Sequence, residues 1–293
     1  GVTLNNPVMT ASGTFGSGAE YAEFVDLNKL GAVVTKGVAN VPWPGNPTPR
    51  VAEVYGGMLN AVGLQNPGID LFVERDIPFL KQFDTKIMVN VCGHSTEEYI
   101  EVVERLRDQP VDLLEINISC PNVKEGGIAF GQDPKAVEAI TKEMKKHAAQ
   151  PVIMKLSPNV TDITEMARAA EAGGADGLSL INTITGMKID INRQKFVLAN
   201  KTGGMSGPAI HPVAVRMVYQ TAQAVSIPIV GMGGIMNAED AIEMILAGAT
   251  AVSVGTANFT NPHVTEEIVA GIRDYMERYQ VADIRDLVGA VHE

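Results

Sequence analysis

The feature that most constrains the fold of this chain is a regular alternation of short β-rich runs with longer stretches of helical spacing. Eight runs rich in strand-forming residues are bounded mostly by Gly, Ser, Asn or Pro, and a helical pattern follows each of them. The predicted strands cover residues 7–13, 31–37, 86–93, 111–119, 151–157, 177–183, 227–234 and 250–256. The predicted helices cover residues 19–27, 69–82, 96–108, 133–147, 161–172, 212–225, 237–247 and 262–278. Three of these helices have start signals of the N-cap type: Ser95 or Thr96 ahead of Glu98, Asp133 with Pro134, and Asn237 ahead of Asp240.

Eight consecutive β/α units in about 250 residues are typical of a closed (β/α)8 barrel, the TIM barrel. The predicted strands are near-continuous apolar runs, as expected for parallel strands that are covered by helices outside and by a barrel interior inside. A doubly wound open sheet is the alternative, but its first turn should carry G-x-G-x-x-G, which SGTFGSG at 12–18 matches poorly. We therefore predict an α/β chain whose residues 1–293 form a single TIM-barrel domain.

Three predicted connections are much longer than the usual 2 to 6 residues between a strand and the next helix. They cover residues 37–68, 119–132 and 183–211. All three follow strands, so they lie at the C-terminal face of the predicted barrel. Long loops at that face predict a lid and a substrate pocket.

Composition narrows the range of partners and compartments. The formal net charge of −11 is repelled by phosphate backbones and anionic lipid surfaces, so neither nucleic acid nor a membrane is expected as a partner. No apolar stretch approaches the length of a spanning helix. The two cysteines form no disulfide framework and no cluster site, which favours a reducing compartment, the cytoplasm. The chain opens on Gly1, so we expect a few residues to be missing before it.

Polar residues close six of the predicted strands, where the chemistry of a TIM barrel lies. A single such residue is usually solvated or caps a turn, but six on separate strands favour one shared cavity. After strands seven and eight, Gly233-Gly234 and Gly255-Thr256 form turns of the kind that bind phosphate through backbone N–H groups. The six strand-end residues are Ser12, Lys36, Asn90, Asn117, Lys155 and Asn182.

Cys120 stands apart from an ordinary buried cysteine. It lies in NISCPN at 117–122, beyond the apolar run of strand four, whereas Cys92 lies inside VNVCG and has the pattern of a small core residue. A free thiol titrates near ~8.5, so a modest electrostatic effect makes it a usable base or nucleophile. The five histidines are scattered, and neither a Cys/His pair nor metal-ligand spacing is evident.

Several longer motifs resemble the dihydroorotate dehydrogenases of de novo pyrimidine biosynthesis. The similarity extends from Thr10 to about residue 262, and a cysteine at the position of Cys120 is typical of the class 1 enzymes, whereas class 2 has serine. The KEGGIAFG stretch is similar to the NAD-linked class 1B catalytic subunit. The motifs are NAVGLQNPG (60–68), NISCPNVKEGGIAFG (117–131), KLSPN (155–159), INT (181–183), ANKTGGMSGPAI (199–210), GMGGI (231–235) and GTANF (255–259).

The resemblance implies flavin mononucleotide (FMN) in the barrel mouth and dihydroorotate beside it. The implied cofactor-binding residues are Ser12, Lys36, Gly37, Asn90, Asn117, Lys155, Ile181 and Gly207, with the phosphate on Gly233, Gly234, Gly255 and Thr256. The implied substrate-binding residues are Lys36, Asn60, Ala61, Val62, Gly63, Leu64, Asn117, Asn122, Asn182 and Thr183. No metal is implied.

The resemblance also implies the chemistry and the partners. Cys120 is expected to act as general base at C5 of dihydroorotate while hydride passes from C6 to flavin N5. Because the chain has neither a dinucleotide fingerprint nor a cysteine set for a cluster, electrons for NAD require a second protein. The family supplies an electron-transfer subunit with FAD and a [2Fe–2S] cluster, in a heterotetramer built on a homodimer of the catalytic chain.

Three other functions are compatible with the pattern. A class 1A-like homodimer would use fumarate directly as acceptor. A barrel enzyme with Cys120 as covalent nucleophile would act on a phosphorylated substrate and be colourless. A non-catalytic barrel would bind flavin without reducing it.

Overall fold

The computed structural model describes residues 1–118 and 131–292, and its centre is a closed barrel of parallel strands. In chain order the strands are β1 (Val8–Thr10), β2 (Ala32–Val34), β3 (Val51–Val54), β4 (Gly57–Asn60), β5 (Lys86–Val91), β6 (Leu113–Asn117), β7 (Val152–Lys155), β8 (Gly177–Leu180), β9 (Ile184–Met187), β10 (Ile189–Asp190), β11 (Lys195–Phe196), β12 (Thr202–Ser206), β13 (Ile229–Met232) and β14 (Ala251–Val254). The barrel order is β1-β14-β13-β8-β7-β6-β5-β2, so each of the eight predicted strands is present and the TIM-barrel prediction is confirmed.

The helices pack around the outside of the barrel. The predicted caps are present: Ser95, Asp133 and Asn237 each accept a hydrogen bond from a backbone N–H in the first turn. Within the described residues the α-helices are α1 (Ile69–Leu71), α2 (Ile77–Leu80), α3 (Thr96–Leu106), α4 (Pro134–His147), α5 (Ile163–Ala172), α6 (His211–Ala222), α7 (Ala238–Leu246), α8 (Ala257–Thr260) and α9 (Val264–Tyr279).

Two predicted helices differ from the structure. Residues 19–27 form isolated turns rather than a helix, because Gly16 and Gly18 hold left-handed backbone just before them and Asp26 caps a separate 3₁₀ turn, Leu27–Lys29. Between α1 and α2 the chain forms a π-helical segment, Phe72–Asp76. Pro78 has no N–H for the α-helical bond to the fourth preceding carbonyl, which is consistent with this local change of pitch.

Side chains alternate across the barrel wall, and this alternation positions the site. Along β6, Leu114 and Ile116 face the surrounding helices, whereas Leu113 packs in the barrel interior. An interior cluster of the barrel is entirely apolar, and Val2 and Leu4 pack against it. It consists of Met9, Ala32, Val34, Met88, Leu113, Ile153, Val230, Met232 and Ala251.

A second, antiparallel sheet is formed by two of the long connections that were expected to form a lid. Strands β3 and β4 come from the connection 37–68, and β9 and β12 come from 183–211. The order is β3-β4-β12-β9, and β10 and β11 form a separate hairpin. We call this four-stranded sheet the cover sheet. Among the described helices, none is long and apolar enough to cross a membrane.

Candidate active site

A large cavity opens at the C-terminal ends of the barrel strands, bounded by the barrel and by the cover sheet. Its space, including the open mouth, is about 1210 Å³. The cover sheet contributes Val51, Met58 and Ser206 to its wall. The predicted site residues that line it are Ser12, Lys36, Asn60, Val62, Gly63, Leu64, Asn117, Lys155, Ile181, Asn182, Thr183, Gly207, Gly233, Gly234, Gly255 and Thr256.

Glycines in the turns after β13 and β14 line this cavity. Gly233 and Gly234 have φ of +129° and +70°, a conformation that strongly favours glycine. Within the described part of the chain, the N–H groups of Gly233, Gly234 and Gly255 donate to no backbone carbonyl. Thr256 donates from its hydroxyl to the Ser206 hydroxyl at 2.7 Å, which joins the second turn to the cover sheet.

A buried ion pair lies beneath the cavity. Lys155 is 4% exposed and its Nζ is 3.4 Å from Oε2 of Glu115, which is 1% exposed. Glu115 also accepts from the Ser179 hydroxyl at 2.7 Å and from Nδ2 of Asn90 at 2.5 Å. Because both carboxylate oxygens have donors, the negative charge is satisfied, and it balances the lysine in an interior that would otherwise penalise either ion.

Three asparagine amides extend from this carboxylate towards the cavity. Asn90 donates to Glu115, which leaves its Oδ1 to accept from Asn117 Nδ2 at 3.4 Å. Asn117 Oδ1 in turn faces Asn182 Nδ2 at 3.5 Å, and Asn182 Oδ1 accepts from the Thr183 N–H at 2.7 Å. A carboxylate only accepts, so Glu115 orients the first amide, and each amide orients the next.

Not every predicted residue reaches the cavity. Asn90 is fully buried and lies behind Asn117, and neither Gly37 nor Ala61 lines the wall. A side chain at Gly37 would approach Oδ1 of Asn90 to 3.1 Å, so this glycine allows close packing beside the amides. Cys120 and Asn122 lie outside the described residues.

Glu115 and Ser179 were missed because the prediction weighed only residues at the ends of strands. Both lie within a strand, one or two residues before its last residue, on the face that points into the barrel. A signal was available, since a carboxylate within LLEIN is an unusual residue for a buried strand and requires a partner.

The residues fit a phosphorylated flavin. Two glycine turns whose N–H groups donate to no backbone carbonyl among the described residues suit a phosphate, and a buried lysine suits a ring system that gains negative charge. A side chain at Gly234 would come within 2.8 Å of the Gly207 carbonyl oxygen, so the cradle has room only for glycine. The fold and the cavity together define a barrel enzyme of the kind that holds a phosphorylated cofactor next to a polar substrate.

Comparison with known proteins gives the family. The family model described as dihydroorotate dehydrogenase matches residues 1–276, and the chain belongs to this family. A protein of Lachnoclostridium phytofermentans named dihydroorotate dehydrogenase B (NAD(+)), catalytic subunit, is 72% identical over 291 residues, 99% of this chain and 97% of the relative. A protein of the same name from Alkaliphilus metalliredigens is 65% identical, over 99% and 96%.

The fold is also that of a solved structure. A crystal structure of DHODH in complex with ferulenol from Eimeria tenella superposes with a TM-score of 0.82 at 22% identity. The match covers 99% of this chain and 86% of the other. At this identity the similarity shows the fold alone.

Proposed function

We propose that this chain is the catalytic subunit of an NAD-linked dihydroorotate dehydrogenase, which oxidises dihydroorotate to orotate in pyrimidine biosynthesis. The observation that carries the proposal is the joint presence, in one cavity, of two phosphate-type turns, a buried lysine and an oriented series of amides. High identity to relatives with that name supports it.

FMN, when bound, supplies the acceptor for the hydride that leaves the substrate. For this group we assign the phosphate to Gly233, Gly234, Gly255 and Thr256. The flavin ring is assigned to the predicted cofactor-binding residues that line the cavity, which are Ser12, Lys36, Asn117, Lys155, Ile181 and Gly207. Lys155 would stabilise negative charge on the reduced flavin ring, because Glu115 holds the lysine ammonium in a fixed, buried position.

The chain's amides would recognise the substrate ring. Asn117, Asn182 and Thr183 line the cavity from the barrel side, and Asn60 lines it from the cover sheet. Amides offer donors and acceptors without adding charge, which suits the imide of a dihydropyrimidine. Lys36 is the residue we assign to the substrate carboxylate, since it is a cation lining the same cavity.

Cys120 is the proposed general base that removes the proton from C5. A base of this kind contributes about 10²- to 10⁴-fold to the rate. Electrons would then pass to NAD through a partner subunit carrying FAD and a [2Fe–2S] cluster, in a heterotetramer with a homodimer of this chain at its centre. A fumarate-using enzyme is the alternative, and the NAD(+) in the relatives' names favours the NAD-linked function.

The visible spectrum of the purified chain tests the reaction. A yellow protein that bleaches on anaerobic addition of dihydroorotate supports both cofactor and half-reaction, whereas a colourless protein, or a yellow one that stays oxidised, contradicts the proposal. NAD without a partner should restore the colour only slowly. Rapid restoration by fumarate alone would favour the alternative.

Cys120→Ala tests the base, with Cys92→Ala as the matched control because Cys92 is fully buried in the barrel wall. We expect Cys120→Ala to keep its colour and to slow reduction by dihydroorotate about 10²-fold or more. Cys92→Ala should be reduced at the wild-type rate. Equal rates in both variants would remove Cys120 from the mechanism.

A further inference from the structure

His211 is a buried side chain that the proposed mechanism does not use. It begins helix α6 and is 7% exposed. Its Nδ1 lies 2.8 Å from the carbonyl oxygen of Gly233, and its Nε2 lies 3.1 Å from Oε2 of Glu243 on α7. The ring therefore connects the turn after β13 to the helix that follows this turn, although it does not itself line the cavity.

Both ring nitrogens face atoms that only accept. A carbonyl oxygen has no proton to donate, so Nδ1 is the donor to Gly233. Nε2 faces Glu243 and also Asp240, whose Oδ1 lies 3.9 Å from it.

The same helix holds the other end of the turn. Asp240 Oδ2 accepts from the Met236 N–H at 2.8 Å, so residues 233–236 are tied to α7 both directly and through the histidine. The packing is close: a side chain at Gly234 would come within 2.7 Å of the His211 Cβ. The position of His211 thus sets the position of the turn.

We infer that His211 is a positioning residue for the phosphate end of the cofactor. His211 donates a hydrogen bond to the Gly233 carbonyl oxygen and so directs this oxygen towards α6. The same hydrogen bond fixes the backbone of the turn that borders the cavity. This inference rests on the proposed function, because it takes a flavin phosphate as the ligand of the turn.

Reconstitution of the flavin-free protein with FMN and with riboflavin tests the inference, because the two flavins differ only in the phosphate. In His211→Leu we expect the FMN dissociation constant to rise about tenfold, the effect of one lost hydrogen bond, with riboflavin binding unchanged. His211→Asn should recover most of the affinity, because an Asn amide nitrogen reaches the place of Nδ1 and donates to the same carbonyl.

Val218→Ala is the matched control, since Val218 is fully buried on the same helix. It should lower the stability of the protein and leave the ratio of FMN to riboflavin affinity at the wild-type value. If His211→Leu weakens both flavins equally, or neither, the inference is overturned. If wild-type protein binds neither flavin, the proposed function is what fails.

Nitrogen NMR of the histidine rings gives a readout that needs no cofactor. In the flavin-free protein we expect the His211 resonances of a ring with a proton on Nδ1, because this nitrogen donates to the Gly233 carbonyl oxygen. A ring without a proton on Nδ1 would overturn the inference.

Discussion

The barrel interior has two zones that differ sharply in chemistry although the same strands build them. Near the start of the strands Met88, Leu113 and Ile153 form an apolar cluster, whereas two residues further along β5, β6 and β7 come Asn90, Glu115 and Lys155. Side chains two residues apart on a strand point to the same face. The inward-facing side chains therefore change from apolar core residues to polar site residues between one inward position and the next. The deep zone stabilises the barrel, and the upper zone costs stability unless every polar group has a partner.

The largest effect is expected from removing the buried carboxylate. Glu115→Ala leaves Lys155 charged and unpaired in the interior, and we expect a loss of about 3 to 5 kcal/mol in the free energy of unfolding. Urea denaturation measures it. Glu138→Ala, which breaks the exposed pair with Lys142, should cost only a few tenths of a kcal/mol. Similar losses of stability in the two variants would contradict the claim that polar groups in the upper zone need a partner more than exposed ones do.

A cavity in the deep zone should lower stability without changing the site. Met88→Ala removes a fully packed side chain, and a loss of about 3 kcal/mol is expected from the buried volume. The absorption spectrum and the FMN affinity of the folded variant should stay at their wild-type values. A changed affinity would show that the zones are coupled.

A smaller loss is expected where the backbone of the upper zone is left-handed. Gly234→Ala places a methyl group against His211 and the Gly207 carbonyl, so we expect a loss of about 2 kcal/mol and weaker FMN binding. Gly289 has a similar φ of +69° but nothing within 4 Å, so Gly289→Ala tests the conformation alone. Thermal unfolding and flavin titration distinguish the two variants, and equal losses would exclude the steric explanation.

The smallest effect concerns a polar contact at the opposite face of the barrel. The hydroxyl and the N–H of Ser226 bond to Glu171, and they lower the pKa of that carboxyl from its ordinary value of 4.5. A lowered folded-state pKa gives stability that is present above pH 4.5 and is lost as the pH falls through the folded value. Ser226→Ala should therefore cost a few tenths of a kcal/mol at pH 7 and less at pH 3. An unchanged difference between the two pH values would contradict this.

The sequence predicts the barrel well because strand and helix periodicities are local. It predicts much of the cavity wall too, since residues such as Lys36 and Asn182 follow strands whose ends converge. Glu115 was not predicted as a site residue because it lies within a strand. Only the argument that a buried carboxylate requires a partner would have identified it. The role of Cys120 stays a prediction.

The cover sheet was not predictable by the same means. Its strands are four or five residues long and lie in connections without strong periodicity. What makes them strands is pairing, such as Leu59 with Met205, between segments far apart in the chain. Local propensity carries no information about such a partner.

The long separation in sequence between the paired strands of the cover sheet has a consequence during synthesis of the protein. Asn60 bonds to Gly204, a residue 144 positions later, so β4 leaves the ribosome long before β12 exists. At roughly 5 to 20 residues per second, the early hairpin waits on the order of ten seconds with one edge unpaired. During translation the N–H and C=O groups along that edge stay exposed to water until β12 is made.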